Sequence, residues 1–411
     1  MTWVDTRLKH LCVDSGQYGL NISAEQYSSS GVRLIRTSDI ASNGALKAST
    51  TGVFVDVPLE QRHRLLPGDV LLSRSGTLGR SFLVPVEGSG QSFAGFLIRF
   101  RPRGGVDPRY IYYATQSSPF QEAVHSEAVS STIQNFNADR YANIPLRAPG
   151  AEEQRRIADF LDAETARIDR LTQLRSQQGD LLDTRFRLAL DKAFENPKYE
   201  PTKLKYLLAV KPRYGVLVPQ FSDAGVRFIR VNDLLDLAGR ADSLAKIPDI
   251  LSAQYARTVT RPGDVLLSVV GTMGRSAVVP PQLAGANVAR AVASLRARQG
   301  VSPELLATWL TTPSFLRQAS DVTASDTAQP TLGMEDLANF RLSWPDDERG
   351  RDELLEITST IRRYQRELTR VLEAQRRVLA ERRQALITAA VTGQLDVTTA
   401  SERNVTDGVT A

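Results

Sequence analysis

The chain has 411 residues, 42% hydrophobic and 24% charged, with a net charge of +5. This composition suits a folded globular protein of about two to four domains and excludes a disordered or fibrous chain. A single cysteine, Cys12, leaves no disulfide framework and no cysteine-based metal site. No run of about 18 apolar residues is present to span a membrane, and Met1-Thr2-Trp3-Val4-Asp5 does not look like a signal peptide, so a cytoplasmic location is expected.

In chain order, roughly 1–149 is punctuated by Gly, Pro, Ser and Asn. Short β-prone runs at 32–35, 52–55, 70–73, 82–84 and 96–100 predict strands joined by tight turns, with short helices at 107–116 and 120–129. The grammar then changes. From Glu152 to about Glu195 there is no proline and only Gly179, and apolar residues recur in steps of three and four at Ile157, Leu161, Ile168, Leu171, Leu174, Leu181, Leu182 and Leu188. This predicts one long helix with a sticky stripe, stopped by Asn196-Pro197. Strands follow at 226–231, 265–269 and 277–279, and short helices at 303–311 and 314–321. A second long helix over about 347–391 carries the heptad-like series Leu354, Ile357, Ile361, Tyr364, Leu368, Val371 and Val378. Each long helix would extend about 60 Å at 1.5 Å per residue. The tail from 397 lacks periodicity and is expected to be disordered.

The second half repeats the first at an offset of about 195 residues, a domain-scale duplication. Leu8-Lys9-His10-Leu11 returns as Leu204-Lys205-Tyr206-Leu207, and Gly31-Val32-Arg33-Leu34-Ile35-Arg36 as Gly225-Val226-Arg227-Phe228-Ile229-Arg230. Pro67-Gly68-Asp69-Val70-Leu71-Leu72-Ser73 returns as Pro262-Gly263-Asp264-Val265-Leu266-Leu267-Ser268. Tandem copies that pair about a pseudo-two-fold axis turn their long helices antiparallel. The expected fold is therefore α+β: two β-rich α/β domains, 1–149 and 197–345, and two long antiparallel coiled-coil helices, 150–196 and 346–396, followed by the tail 397–411. The other reading packs each helix on its own globular body.

The duplication also tests for catalysis. His10, His63 and His125 are the only histidines, and all lie in the first copy. No phosphate-binding GxxxxGK[ST] loop, zinc-binding HExxH or nucleophile-elbow GxSxG occurs, nor an Asn-Pro-Pro-aromatic segment. Asp39/Asp233 and Asp69/Asp264 recur in register but suit local capping: Asp39 and Asp233 as N-caps, Asp69 and Asp264 in Pro-Gly-Asp turns. No catalytic or metal-binding residue is expected.

What recurs instead suits a polyanion, toward which the positive charge also leans. Gly76-Thr77-Leu78-Gly79-Arg80-Ser81 and Gly271-Thr272-Met273-Gly274-Arg275-Ser276 each follow a strand and offer Thr77, Arg80, Thr272 and Arg275 to phosphate. The alternative is a tight hairpin whose arginine pairs with a local acid. Arg36-Thr37-Ser38 and Arg230-Val231-Asn232 end strands with base-capable groups. Ser131, Gln134 and Asn135, with Thr327 and Gln329, lie in polar loops. Positions that differ within shared segments are readout candidates: Gln17 against Arg213 beside the shared Tyr18 and Tyr214, Ser38 against Asn232, and Arg74 against Val269.

Two segments carry a family resemblance. Glu152-Glu153-Gln154-Arg155-Arg156-Ile157-Ala158-Asp159-Phe160-Leu161-Asp162 resembles the start of a spacer helix in specificity subunits of type I restriction–modification enzymes. Arg383-Gln384-Ala385-Leu386-Ile387-Thr388-Ala389-Ala390-Val391-Thr392-Gly393-Gln394-Leu395-Asp396 is similar to their C-terminal helix ending. The Pro-Gly-Asp-Val-Leu-Leu-Ser and Gly-Thr-x-Gly segments resemble their target-recognition domains. The resemblance implies a non-catalytic subunit in which each recognition domain reads half of a bipartite double-stranded DNA target. The helices then set the gap and dock two methyltransferase subunits, with Ile157, Leu161, Ile168, Leu171, Ile357, Ile361, Leu368 and Val371 as spacer and partner positions. S-adenosylmethionine and ATP/Mg are expected in methyltransferase and motor-nuclease partners, not in this chain. One departure is Asp346-Asp347-Glu348-Arg349-Gly350, where Gly350 is expected to weaken the first turn of the second helix. The alternatives are a coiled-coil protein–protein scaffold that reads no DNA and the recognition subunit of another phage-defence methylation system.

Overall fold

The computed structural model describes residues 3–41, 44, 46, 52–129 (128 and 129 in backbone only), 135–324 and 330–397. It divides into two compact units, one formed by the chain up to residue 175 and from 374 onward, the other by 176–373. The expected tail lies outside the described residues beyond Val397.

In unit 1 the central sheet has the strand order Gln17–Tyr18, Leu97–Phe100, Val70–Ser73, Ser81–Leu83, all antiparallel. Val70–Ser73 is buried along its whole length. Side chains alternate across a strand, so Val70 and Leu72 enter one core with Ile98, Phe100, Tyr110 and Tyr141, and Leu71 enters another with Ile35, Phe82 and Phe93. An uninterrupted Val-Leu-Leu is what a strand covered on both faces requires. A second sheet orders Tyr27–Ser28, Phe54–Val55, Val32–Ile35 and Ser92–Phe93, the last pair parallel. Val4–Arg7 pairs with Pro145–Ala148.

Unit 2 repeats this plan. Its central sheet runs Arg213–Tyr214, Val292–Leu295, Val265–Ser268, Ser276–Val278. Ala245–Ile247, Val226–Ile229 and Asn287–Val288 form the second sheet, and Glu200–Lys203 pairs with Arg341–Trp344. The strand expected over 226–231 ends at Ile229, because 231–235 turns into a 3-10 helix.

The long helices are Ala151–Phe194 and Glu348–Thr392. Gly350 fits the start of the second: its N–H donates to Asp347 Oδ1 at 2.8 Å, and an added Cβ would lie 2.8 Å from that oxygen. The glycine makes room for the cap. In unit 1 Ile157, Leu161 and Ile168 of the first helix share the core with Leu386, Ile387 and Ala390 of the second, and Arg383 pairs with Asp169 at 3.2 Å. In unit 2 Gly179 meets Leu372 at 3.9 Å and Gln365 donates to Asp183 at 3.0 Å, so the segments there run antiparallel. Each helix part packs on its own β-rich body as well: Tyr110 Oη donates to Val391 O in unit 1, and Leu354 joins the core of unit 2.

The heptad series expected to form the seam of the second helix needs correction. Ile357 (48% exposed), Tyr364 (55%), Val371 (48%) and Val378 (58%) face solvent, as do Leu368 and, on the first helix, Leu171, Leu174, Leu181 and Leu188. Ile361 is half-buried. The inward positions are one residue later: Thr358, Gln365, Leu372, Leu379 and Leu386 are buried or half-buried. The inner stripe is the less apolar of the two, and hydropathy alone selects the outer one.

Asp69 and Asp264 each cap the turn before the central strand, accepting from Leu66 N and Arg261 N at 2.8 Å. Each also grips an arginine fork from the neighbouring strand, Arg101 at 2.7 and 2.8 Å and Arg296 at 2.7 and 2.7 Å. Burial of the carboxylates makes these pairs structural. Asp264→Ala is expected to lower unfolding free energy by about 3–5 kcal/mol in denaturant titration, because it strands Arg296. Arg349→Ala, which removes an exposed helix-surface pair with Glu353, should change it by less than about 1 kcal/mol. Equal effects would refute the distinction.

Candidate nucleic-acid interface

The hairpin between Val70–Ser73 and Ser81–Leu83 turns on Gly76 and Gly79, with φ of 72° and 73°; Gly271 and Gly274 repeat this at 69° and 82°. A Cβ on Gly76 would meet nothing within 4 Å, whereas one on Gly79 would lie 2.5 Å from Gln121 Oε1, and one on Gly274 2.7 Å from Leu316 Cδ2. The second glycine of each loop therefore accommodates the chain's own packing. Ser73 Oγ donates to Thr77 O and accepts from Arg80 N, and Ser268 Oγ accepts from Arg275 N, which fixes the loops. The Thr77 and Thr272 side chains stay exposed.

The predicted arginines fall into two classes. Arg36 donates from Nε and Nη2 to Asp39 at 3.2 and 3.0 Å, and Arg230 donates from Nε to Asp233 at 3.2 Å. The hydrogen bond to Asp39 pushes the Arg36 pKa up. The same carboxylates accept the Arg36 and Arg230 N–H groups at 3.0 and 2.8 Å. The aspartates thus close their turns from the third position and are not N-caps, and both cations are neutralised in place. Arg80, Arg275, Arg213 and Arg74 have no carboxylate partner among the described residues. Arg80 donates to Ile40 O at 2.7 Å, Arg275 to Asn232 Oδ1 at 3.1 Å and Arg213 to Arg257 O at 3.1 Å. The hairpin alternative, in which the loop arginine pairs with an acid, does not describe either loop.

Two adjoining grooves in unit 1 gather the predicted residues. One, of about 420 Å³, is lined by Arg36, Thr37, Ser38, Thr77 and Arg80; the buried Thr37 hydroxyl has no hydrogen-bond partner among the described residues. The other, of about 230 Å³, is lined by Tyr18, Arg74 and Asn135. Both include Phe96, a residue the sequence reading took for the start of a strand; it is 64% exposed. Gln17 does not join them, since its Nε2 donates to Tyr18 O at 3.0 Å. In unit 2 Tyr214 Oη donates to Leu332 O at 2.6 Å. Ser131, Gln134, Thr327 and Gln329 lie outside the described residues.

Burial pushes the Cys12 thiol up to about 12, which disfavours the reactive thiolate at neutral pH. Iodoacetamide at pH 8 should leave Cys12 unmodified in the native chain and label it after denaturation, as read by intact mass; rapid native labelling would contradict its placement.

Residues 6–178 match the family model described as type I restriction modification DNA specificity domain. The chain is 28% identical over 270 residues to the type I restriction enzyme EcoBI specificity subunit of Escherichia coli, an alignment covering 58% of this chain and 55% of that protein. It is 31% identical over 165 residues to the StySPI specificity subunit of Salmonella potsdam, covering 38% and 34%. The matched region thus spans about half or less of these relatives. A solved chain from a study of complex assembly and conformational transition of the type I R-M system has the same fold, with a TM-score of 0.64 at 19% identity over 96% of this chain and 98% of that one. Residues 6–178 thus carry a type I restriction modification DNA specificity domain, and the chain, with its twice-built sheet plan and two long helices, has the fold of that solved chain.

Proposed function

We propose that this chain is the DNA-recognition and scaffold subunit of a type I methyltransferase/restriction complex. In this reading 1–149 and 197–345 each read one half of a bipartite duplex target, and 150–196 and 346–396 set the gap and dock two methyltransferase subunits. S-adenosylmethionine chemistry and ATP/Mg-driven translocation and cleavage reside in methyltransferase and motor-nuclease partners, and the assembly works in the cytoplasm. No described helix is long and apolar enough to cross a membrane.

The observation that carries the reading is the Gly-Thr-x-Gly-Arg loop. In both units it holds an arginine on uncharged acceptors, Ile40 O and Asn232 Oδ1, which leaves the positive charge for a phosphate. Duplex binding by the complex with its methyltransferase subunits should fall steeply as salt rises. Arg80→Ala with Arg275→Ala should reduce the slope of log K against log salt by about two. Salt-independent binding would favour the protein–protein scaffold.

The outer stripe supports the docking role. Ile357, Tyr364 and Val371 recur every seven residues on an exposed helix face, the pattern by which one helix recruits another. Tyr364→Asp with Val371→Asp should abolish co-purification with the methyltransferase subunit while leaving the melting temperature of the free chain within about 2 °C. Intact co-purification would place the docking surface elsewhere.

A further inference from the structure

The two units carry an arginine at different places in equivalent segments. Arg74 N donates to Phe96 O and Phe136 N to Arg74 O, each at 2.9 Å; in unit 2 Val269 N donates to Ala291 O and Leu332 N to Val269 O, again at 2.9 Å. Arg74 is therefore the structural equivalent of Val269, and Gly95 of Arg290. Gly95 N–H and Arg290 N–H confirm the register by donating to Leu20 O and Val216 O. The arginine of unit 1 sits where unit 2 has valine, and the arginine of unit 2 sits where unit 1 has glycine. Arg74 stands by Tyr18, and Arg290 bonds through its N–H to Val216 O, two residues after the equivalent Tyr214. The Arg74 guanidinium lies 4.7 Å from the centre of the Tyr18 ring. Burial pushes the Tyr214 phenol up, and the charge of nearby Arg290 opposes it.

We propose that Arg74 and Arg290 are the guanine-reading residues of the two units, Arg74 in a tyrosine-backed pocket and Arg290 in the equivalent segment of unit 2, and that Asn135 is the positioning residue for Arg74. The inference rests on the DNA-recognition reading above and names residues that would determine specificity within it. Arg74 is held from behind: Nε donates to Asn135 Oδ1 at 3.0 Å and Nη1 to Gly95 O at 3.5 Å. Nη2 makes no hydrogen bond among the described residues, and no carboxylate neutralises the group. The distal Nη1–Nη2 edge is thus open, with the spacing that matches guanine O6 and N7. Arg290 is exposed, and its side chain makes no hydrogen bond or ion pair among the described residues. A phosphate clamp would need charge but no aromatic backing. Keeping the tyrosine while moving the arginine from the segment after the central strand to the turn before the neighbouring strand preserves a reader and changes its angle, as two different half-sites require. The brace changes with it: where Asn135 bridges to Ser75, Thr331 bridges to Val270.

The test is the methylated-adenine map of cells expressing the full chain with its methyltransferase subunits. Arg74→Ala should relax one guanine in one half of the motif, and Arg290→Ala one guanine in the other half. Discrimination against other bases should fall between about five- and one-hundred-fold, with the remaining positions unchanged. Asn135→Ala should partly relax the same guanine as Arg74→Ala. Relaxation of the same half by both arginine variants, an unaltered motif, or a half-site without guanine would overturn the inference while leaving bipartite recognition standing. An uninterrupted wild-type motif would overturn both. If Arg74→Ala abolishes modification, the wild-type complex is titrated with duplexes carrying 7-deazaguanine at each guanine in turn. Weakened binding at one guanine per half supports the assignment, and equal binding at every position overturns it.

Discussion

Each unit depends on an apolar core to which both long helices contribute, and in unit 1 no contiguous stretch of the chain can build it. In unit 1 Ile157 and Leu161, near the start of the first long helix, bury with Leu386 and Ile387, near the end of the second, against the aromatic floor made by Tyr110 and Tyr141. In unit 2 Phe194 and Leu354, from the opposite ends of the same helices, bury with Trp309 and Phe315. Burial of such side chains is worth about 1.5–3 kcal/mol each, so the body and its two helix ends are ordered together. Polar contacts fix the register at these junctions. Thr388 Oγ1 accepts from Ser118 N in unit 1, and Asp191 accepts from Ser314 N and Oγ in unit 2.

On that scaffold the duplication separates two kinds of position. Asp69 with Arg101 and Asp264 with Arg296 are the same buried clamp built twice, as are the Arg36–Asp39 and Arg230–Asp233 turns. Such pairs neutralise their own charge and hold a strand end in place. Where an arginine is free of carboxylate, its acceptor or its place differs between the copies: Arg80 leans on a backbone carbonyl and Arg275 on Asn232, while Arg74 follows the central strand of unit 1 and Arg290 lies in the turn before Val292–Leu295 of unit 2. Scaffold is repeated and the candidate recognition positions vary, as the proposed reading of two unlike half-sites requires.

The sequence made the broad architecture legible because its signals are local and strong. Val70–Ser73 and Val265–Ser268 are apolar runs between turns, and the long helices lack proline and stop at Asn196-Pro197 and Gly393. Two-residue strands such as Gln17–Tyr18 and Ser92–Phe93 exist only through their partners and leave no pattern of their own. The fate of each arginine was also hidden. An Arg three residues before an Asp can neutralise itself, as Arg36 does, but nothing in the run around Arg74 announces that Asn135, sixty-one positions later, braces it. The recurrence of Arg101 as Arg296 alongside Asp69 and Asp264 was a readable signal for the buried clamp.

The displaced heptad shows why pattern and packing part company on the second helix. Thr358 and Gln365 hold inward positions because their polar atoms are satisfied there, Thr358 by Leu354 O and Gln365 by Asp183, and Arg362 reaches Thr308 and Thr311. A seam closed partly by hydrogen bonds frees the apolar residues one position earlier from packing on the first helix. Those residues then cost solvation free energy unless something covers them. A helix serving only its own fold would place Ile357 and Val371 inward and Gln365 outward. The reversed arrangement is what the proposed docking role requires, with one face held within the chain and a second left outside it.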